Sequence, residues 1–227
     1  RAENSNTYHS YLFTSSGVDP LPVITSIGNI YNGTGGYMKG SPQGNRLVVA
    51  NYFVDNTFDL FDFDNSTGLL SNWMSINTGQ YVYGLEFSPN NDILYVAGYP
   101  YFLYQYDLLA GSSLDIANSA INLNVQNNSI SLQLASDYKI YVCETGSNSL
   151  GAINNPDVLG IGCNYNANTV SLASGIARMG LPTFFSSIFN FTNNFSFNNP
   201  CYGDSAFFNF TNSSVDSVFW DFGDPNS

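Results

Sequence analysis

One short stretch of sequence occurs three times along the chain. It reads GGYMKGSPQGNRLVVAN at 35–51, YGLEFSPNNDILYVAGY at 83–99 and SLQLASDYKIYVCETG at 131–146. Aligned on Ser41, Ser88 and Ser136, the copies lie 47 and 48 residues apart. Repeats of about 40 to 50 residues with strand-like content are typical of four-stranded propeller blades. Each copy begins with a polar segment, continues with a tight turn and ends in alternating β-branched and aromatic residues. This pattern is that of strands, so helical repeats of similar length are excluded.

The turn inside each copy has a mechanical cause. Pro42 suits the first corner of a turn because its ring fixes φ, and Gly44 accepts positive φ because it has no Cβ. The pairs at 90–91 and 137–138 occupy the same place in the other copies. We therefore expect one backbone conformation at all three turns, and a structural rather than catalytic role for Ser41 and Ser88.

The rest of each unit also reads as strands and polar turns. Four further segments each place a polar turn, in most cases with a glycine, next to strand-like sequence. They are residues 11–24, 62–76, 103–117 and 149–165. The sequence predicts an all-β protein with a partial β-propeller of four-stranded blades. Closed propellers have about four to eight blades, and about three and a half units are present. We therefore expect this chain to be a segment whose N-terminal blades are missing.

Composition limits the partners of the chain. Its 227 residues include 17 Asp and Glu against 5 Lys and Arg, a net charge of −12. Nucleic acids and anionic lipid surfaces are recognised by clustered basic residues, so neither is an expected partner. A helix that crosses a bilayer needs about 18 consecutive apolar residues, and the sequence has no apolar run of that length. Membrane insertion is therefore not expected. A hydrophobic content of 44% is enough for a large core.

The ordered succession of motifs from 8 to 189 resembles a known family. Together with INNPDVLGIGCNY at 153–165 and GLPTFF at 180–185, the three copies are similar to the propeller-like (YVTN/WD-type) repeat region of large secreted proteins of gliding bacteria. In those proteins the repeats precede PKD-type domains and a gliding-motility-associated C-terminal region. The resemblance implies export by type IX secretion.

The C-terminal segment resembles the opening of a PKD domain, an Ig-like β-sandwich. Residues 201–227 end in WDFGD at 220–224, the signature of that family, followed by Pro-Asn-Ser. Period-2 alternation places Val218, Trp220 and Phe222 on one strand face, so Trp220 is expected to fill a sandwich core. We therefore divide the chain into propeller blades at 1–190 and a linker with a truncated PKD-like domain at 191–227.

These features favour a non-enzymatic scaffold or adhesion protein, secreted or on the outer cell surface. Its expected partner is a surface protein or a glycan, within a larger surface or secretion assembly. One alternative is a carbohydrate-active or lactonase-like propeller enzyme. Another is a structural component of a surface filament or secretion assembly. The resemblance also implies O-glycosylation at Ser205 and Ser217, which lie in Asp-Ser-aliphatic motifs of the kind that such bacteria modify.

The cysteines leave two interpretations open. Cys143, Cys163 and Cys201 form no CxxC or Cys/His metal spacing. If a disulfide exists, we expect Cys143 to pair with Cys163, because both lie in the last repeat, and Cys201 to pair with a residue beyond 227. In the other interpretation all three are small buried hydrophobic residues.

Carboxylates are the plentiful reactive groups. Asp62 and Asp64 share one strand face and precede a polar turn. Their oxygen-rich spacing resembles part of a calcium-binding loop, so calcium is the candidate metal. The alternative is a solvated strand face that ends in Asx-turns. A glycosidase pair would come from Asp62, Asp64, Glu86 or Asp107. His9 is the only histidine, which disfavours a Ser-His-Asp triad and a zinc site, and no other cofactor is expected.

Aromatic residues concentrate in the second unit. Tyr83, Tyr99, Tyr101 and Tyr104 are the candidate ligand-binding residues, because tyrosine rings on a propeller face can stack against sugars. The alternative is that these rings pack between blades, as half-buried strands require.

Overall fold

The structure is a computed structural model that describes residues 1–2, 4–32, 35–52, 55–123, 128–182, 195–198 and 207–210. The chain divides into two compact units, Arg1–Ile188 and Phe189–Ser227. In the part that is described, no helix is long and apolar enough to span a bilayer.

The first unit begins with short strands and continues with three four-stranded antiparallel sheets in its described residues. The short strands are β1 (Thr7–Ser10), β2 (Phe13–Thr14), β3 (Gly17–Val18) and β4 (Val23–Ser26), with β1 paired to β4 and β2 to β3. Blade 1 contains β5 (Met38–Gly40), β6 (Arg46–Ala50), β7 (Thr57–Asp64) and β8 (Leu69–Asn77). Blade 2 contains β9 (Tyr81–Phe87), β10 (Ile93–Tyr99), β11 (Phe102–Asp107), the helix α1 (Ser113–Asn118) and β12 (Ile121–Asn122). Blade 3 contains β13 (Ser129–Leu134), β14 (Ile140–Glu144), β15 (Ser149–Ile153), the 3₁₀ turn Gly160–Cys163 and β16 (Tyr165–Ser171).

Each blade is a simple meander in which consecutive strands are neighbours. The prediction of repeated four-stranded units is confirmed, and the described fold is propeller-like. The period has a direct structural meaning, since each copy contributes the first two strands of one blade.

The blades stack face to face through alternate residues of their strands. On β10, Leu94 and Val96 lie in the apolar cluster shared with blade 1, whereas Tyr95 and Ala97 lie in the cluster shared with blade 3. Both faces of blade 2 are therefore buried, which explains its nearly continuous apolar sequence. A third cluster, around Phe61, covers the other face of blade 1 and includes Tyr8 of β1.

The first strands of neighbouring blades approach each other at their backbones. The N–H of Tyr37, just before β5, donates to the carbonyl of Tyr83 on β9 over 2.8 Å. A Cβ added at Gly84 would lie 2.3 Å from the carbonyl oxygen of Ile130 on β13. Only glycine allows this approach, which brings the inner strands of the three blades together.

The turns between the first and second strands share one geometry, as predicted. Gly44, Asn91 and Tyr138 all have positive φ, at 70°, 69° and 61°. In each turn the N–H of this residue donates to the carbonyl three residues earlier, over 2.9 to 3.0 Å.

In the second unit, β17 (Phe195–Asn198) pairs antiparallel with β18 (Phe207–Phe210). The PKD-like motif at 220–224, together with Trp220, Cys201, Ser205 and Ser217, lies outside the described residues. The sandwich and the glycosylation sites therefore stay predictions.

Candidate functional site: a tyrosine cluster at one end of the blades

Six tyrosines gather at the end of the blades where the first strands begin and the second strands end. We call the following residues the tyrosine cluster: Tyr37, Tyr52, Tyr81, Tyr83, Tyr99 and Tyr101. The antiparallel pairing of β9 and β10 sets Tyr81 opposite Tyr99, and the turn after β10 carries Tyr101.

The rings of the cluster contact one another mainly edge to face. The ring centroid of Tyr52 lies 5.1 Å from that of Tyr83 and 6.4 Å from that of Tyr81, with interplanar angles of 77°. Tyr99 and Tyr101 are 5.7 Å apart at 78°. This is the geometry that aromatic pairs prefer, and it holds the rings in fixed relative orientations.

Half of the cluster is open to solvent. Tyr81, Tyr99 and Tyr101 are 39%, 49% and 45% exposed, whereas Tyr52 and Tyr83 are half-buried. Burial, and then the neighbouring tyrosines, raise the pKa of Tyr52, and burial followed by Tyr37 raises the pKa of Tyr83. Tyrosines are already neutral at physiological pH, and the raised pKa values keep these two hydroxyls protonated to a more alkaline pH.

A segment that follows blade 3 lies beside the cluster. We call this segment, residues 177–181, the strap. The carbonyl of Arg178 in the strap accepts a hydrogen bond from the Sγ of Cys143 over 2.8 Å. At the other end of the strap, the N–H of Leu181 donates to the hydroxyl of Tyr37 over 3.4 Å. The strap therefore connects blade 3 with the blade 1 side of the tyrosine cluster.

Three of the four tyrosines predicted to bind a ligand lie together, and the fourth lies elsewhere. Tyr83, Tyr99 and Tyr101 belong to the tyrosine cluster, but Tyr104 does not. Its ring lies 5.0 Å from that of Phe102, and its hydroxyl accepts from Gln80 over 3.1 Å. Tyr104 packs against the apolar cluster between blades 1 and 2, so the packing interpretation applies to it.

Sequence reasoning missed the contribution of blade 1 to the cluster. Tyr37 lies within the first copy of the repeat, and Tyr52 directly follows that copy, 47 residues before Tyr99. This equivalence was the signal that could have identified Tyr52, because equivalent positions of neighbouring blades lie side by side.

A buried polar node lies beneath the cluster. Lys39, Glu86 and Gln133 occupy equivalent positions on β5, β9 and β13, and each is at most 4% exposed. The Nζ of Lys39 donates to the Oε2 of Glu86 over 2.9 Å and to the Oε1 of Gln133 over 2.6 Å. Burial raises the pKa of Glu86, and the Lys39 ammonium opposes that rise. The node links the inner strands of all three blades.

The four candidate carboxylates lie in different surroundings. Glu86 has no exposed surface and is held in the node, whereas Asp62 and Asp64 lie exposed at the far end of β7. The carboxylate of Asp107 accepts from the backbone N–H of Leu109 over 2.9 Å in the turn that follows β11.

Asp62 and Asp64 make the contacts of a strand end and a turn. The Nδ2 of Asn72 donates to Asp62 over 2.7 Å. The hydroxyl and N–H of Ser66 donate to Asp64 over 2.6 and 2.9 Å and hold the pKa of Asp64 below its ordinary value. Across the described ranges, no three His, Cys, Asp or Glu side chains come together in a group that could bind a metal. The geometry is that of an Asx-turn.

The pairing of Cys143 with Cys163 is not formed, and both thiols are free and buried. Cys163 packs with Ile140 and Val142 in the cluster that faces blade 2. Because side chains alternate along β14, Cys143 points to the opposite face of the sheet. The sheet therefore separates the two sulfurs, which the linear spacing could not reveal. Burial raises the pKa of both thiols.

A separate cavity of about 460 Å³ lies between β1 and blade 1. His9, Arg46 and Phe63 are among its lining residues, and none of the described residues that line it is an Asp or a Glu.

No protein-family model matches the chain, and no curated protein matches it. Similar solved structures include a protein from Lactobacillus plantarum, 14% identical over 77% of this chain and 53% of that one, with a TM-score of 0.46. They also include a quinonprotein alcohol dehydrogenase-like protein from Bacteroides thetaiotaomicron, 14% identical over 70% of this chain and 38% of that one, with a TM-score of 0.42. The chain thus spans about half of the first protein and less of the second. At these TM-scores the similarities carry no inference about activity.

Proposed function

We propose that this chain is a non-enzymatic binding and scaffold module of a secreted or cell-surface protein. The observation that carries the proposal is the tyrosine cluster, a set of mutually oriented rings from two blades with exposed members at one end of the fold. Rigid rings with hydroxyl groups provide a large contact area at low entropic cost, as binding surfaces require.

The use of the polar groups supports binding over catalysis. Glu86 is paired with Lys39, and Asp62 accepts a hydrogen bond from Asn72 on the neighbouring strand. Asp64 and Asp107 accept hydrogen bonds from the turns that follow their strands. The Lys39–Glu86 pair beneath the cluster is buried, so it does not meet a substrate as a general acid and base must.

The family resemblance supports the cellular setting of the proposal. In this proposal the propeller is exported by type IX secretion and the PKD-like segment acts as a spacer between the blades and the cell. Gliding or adhesion is then the process in which the binding surface is used.

The test uses the producing cells and the purified chain. Protease treatment of intact cells is expected to remove the protein, and labelled chain is expected to bind saturably to the cell surface or its substratum. A variant with Tyr99→Ala and Tyr101→Ala should lose that binding, whereas Tyr138→Ala at a distant exposed turn should keep it. Saturable turnover of a glycoside or lactone by the purified chain would contradict the proposal.

A further inference from the structure

We infer that the tyrosine cluster binds neutral carbohydrate, with pyranose rings stacked on Tyr99 and Tyr101. This inference rests on the proposed function, since it names the ligand of the same surface. It commits to an uncharged oligosaccharide with equatorial hydroxyls, such as a β-linked glucan.

The chemistry of the exposed rings suits a sugar. A pyranose with equatorial hydroxyls has an apolar C–H face that packs on an aromatic ring, and a polar rim that needs hydrogen bonds. Tyr99 and Tyr101 supply ring surface that is nearly half exposed, on two rings set almost perpendicular at 78°. The phenol of Tyr83, which belongs to the same cluster, is neutral at physiological pH like any tyrosine, so its hydroxyl can both donate and accept.

The charge of the chain argues for a neutral ligand. A net charge of −12 repels sulfated and uronic-acid glycans, and such ligands need basic residues for recognition. The Lys39 ammonium lies 5.4 Å from the centre of the Tyr37 ring. That ammonium is buried and already bound by Glu86 and Gln133, so it does not face a ligand.

The cluster is held in place before any ligand arrives. Tyr81 and Tyr83 lie on β9, whose backbone is fixed between the inner strands of blades 1 and 3. Tyr37 is held from the other side by Leu181 of the strap. Because these rings lose little freedom on binding, stacking on them can contribute measurable affinity.

The test is calorimetric titration of the purified chain with cellohexaose and laminarihexaose, with a hexagalacturonate as the anionic comparison. We expect both neutral sugars to bind and the anionic sugar not to bind. Tyr99→Ala and Tyr101→Ala should each weaken binding by about tenfold, which corresponds to the loss of one ring contact. Tyr138→Ala is the matched control, since Tyr138 is 50% exposed but lies in the turn at the opposite end of β13. Circular dichroism of all variants should be unchanged.

Two results would overturn the inference. One is the absence of binding to any neutral glycan on an array probed with the intact chain. The other is glycan binding that the Tyr99→Ala, Tyr101→Ala double variant retains in full. If the chain still attaches to cells through these tyrosines while it ignores glycans, the ligand is a protein, and the proposed binding function survives without the sugar.

Discussion

Gly44, Asn91 and Tyr138 adopt the same left-handed backbone conformation although their side chains differ. Glycine does so without steric cost, and asparagine tolerates it, but a bulky residue is strained there. The cost of left-handed geometry for an ordinary residue is about 1–2 kcal/mol. The third turn therefore carries strain that the first turn avoids.

We expect Tyr138→Gly to raise the free energy of unfolding by about 1 kcal/mol, because it removes this strain. The reverse change, Gly44→Ala, should lower it by a similar amount. No atom lies within 4 Å of a Cβ added at Gly44, so its effect is conformational and not a clash. Urea unfolding measures both, and a destabilised Tyr138→Gly would contradict the argument.

Asp59 on β7 is a buried carboxylate that links blade 1 to the segment before it. The hydroxyl of Tyr31 donates to its Oδ1 over 3.3 Å. Burial raises the pKa of Asp59 above its ordinary value of 3.8, while hydrogen bonds from its neighbours lower it in part.

A raised folded-state pKa means that the folded chain binds this proton more tightly than the unfolded chain does. Stability should therefore fall as the pH rises from 3.8 through the folded pKa. Asp59→Asn removes that loss, so the stability of the variant relative to the original should increase with pH across this range. Urea unfolding between about pH 4 and pH 8 measures the difference, and parallel curves would exclude the assignment.

At the scale of the elements, the inner strands of the blades depend on one close backbone contact. A methyl group at Gly84 would meet the carbonyl of Ile130 at 2.3 Å, so β9 and β13 would have to separate. We expect Gly84→Ala to cost about 1–3 kcal/mol or more in unfolding experiments. Gly40→Ala on β5 is the control, because no atom lies within 4 Å of its added Cβ. Equal effects would contradict the close-contact explanation.

The polar node joins the same three strands through charge. Lys39→Met would leave the Glu86 carboxylate buried without its partner, which typically costs about 3–5 kcal/mol. The double variant Lys39→Met, Glu86→Gln keeps an acceptor for the N–H of Leu134 but removes the charge. We therefore expect the double variant to be more stable than Lys39→Met alone. A double variant that is no more stable would show that the ion pair contributes little beyond packing.

At the largest scale, the described residues of the three apolar clusters all lie in the first unit. These clusters are built from positions between Tyr8 and Tyr165, and the compact unit ends at Ile188. We expect a chain truncated after residue 188 to melt within about 2 °C of the full chain in a calorimetric scan. Truncation after Asn148 removes β15 and β16 and should abolish the cooperative transition. A large shift for the 1–188 chain would contradict the independence of this unit.

Much of the fold could be predicted from local signals. The period, the turn residues and the alternation along β10 all act over a few residues, so they can be read from the sequence. The tyrosine cluster could be predicted only in part, since Tyr83 and Tyr99 share one blade but Tyr37 and Tyr52 come from another. Of the two interpretations of the cysteines, the structure has the one with buried free thiols at 143 and 163, because nearness along the chain does not fix the sheet face that a side chain occupies.

The repeating unit, its strand order and its turns follow from the sequence alone, since they obey steric and hydrogen-bonding rules within each unit. Which residues of different blades meet depends on the folded arrangement: this holds for the six tyrosines, the Lys39–Glu86–Gln133 node and the separation of the two thiols. Those contacts depend on how the sheets stack and in what register. Stacking is set by the packing of whole faces, which no short segment encodes alone.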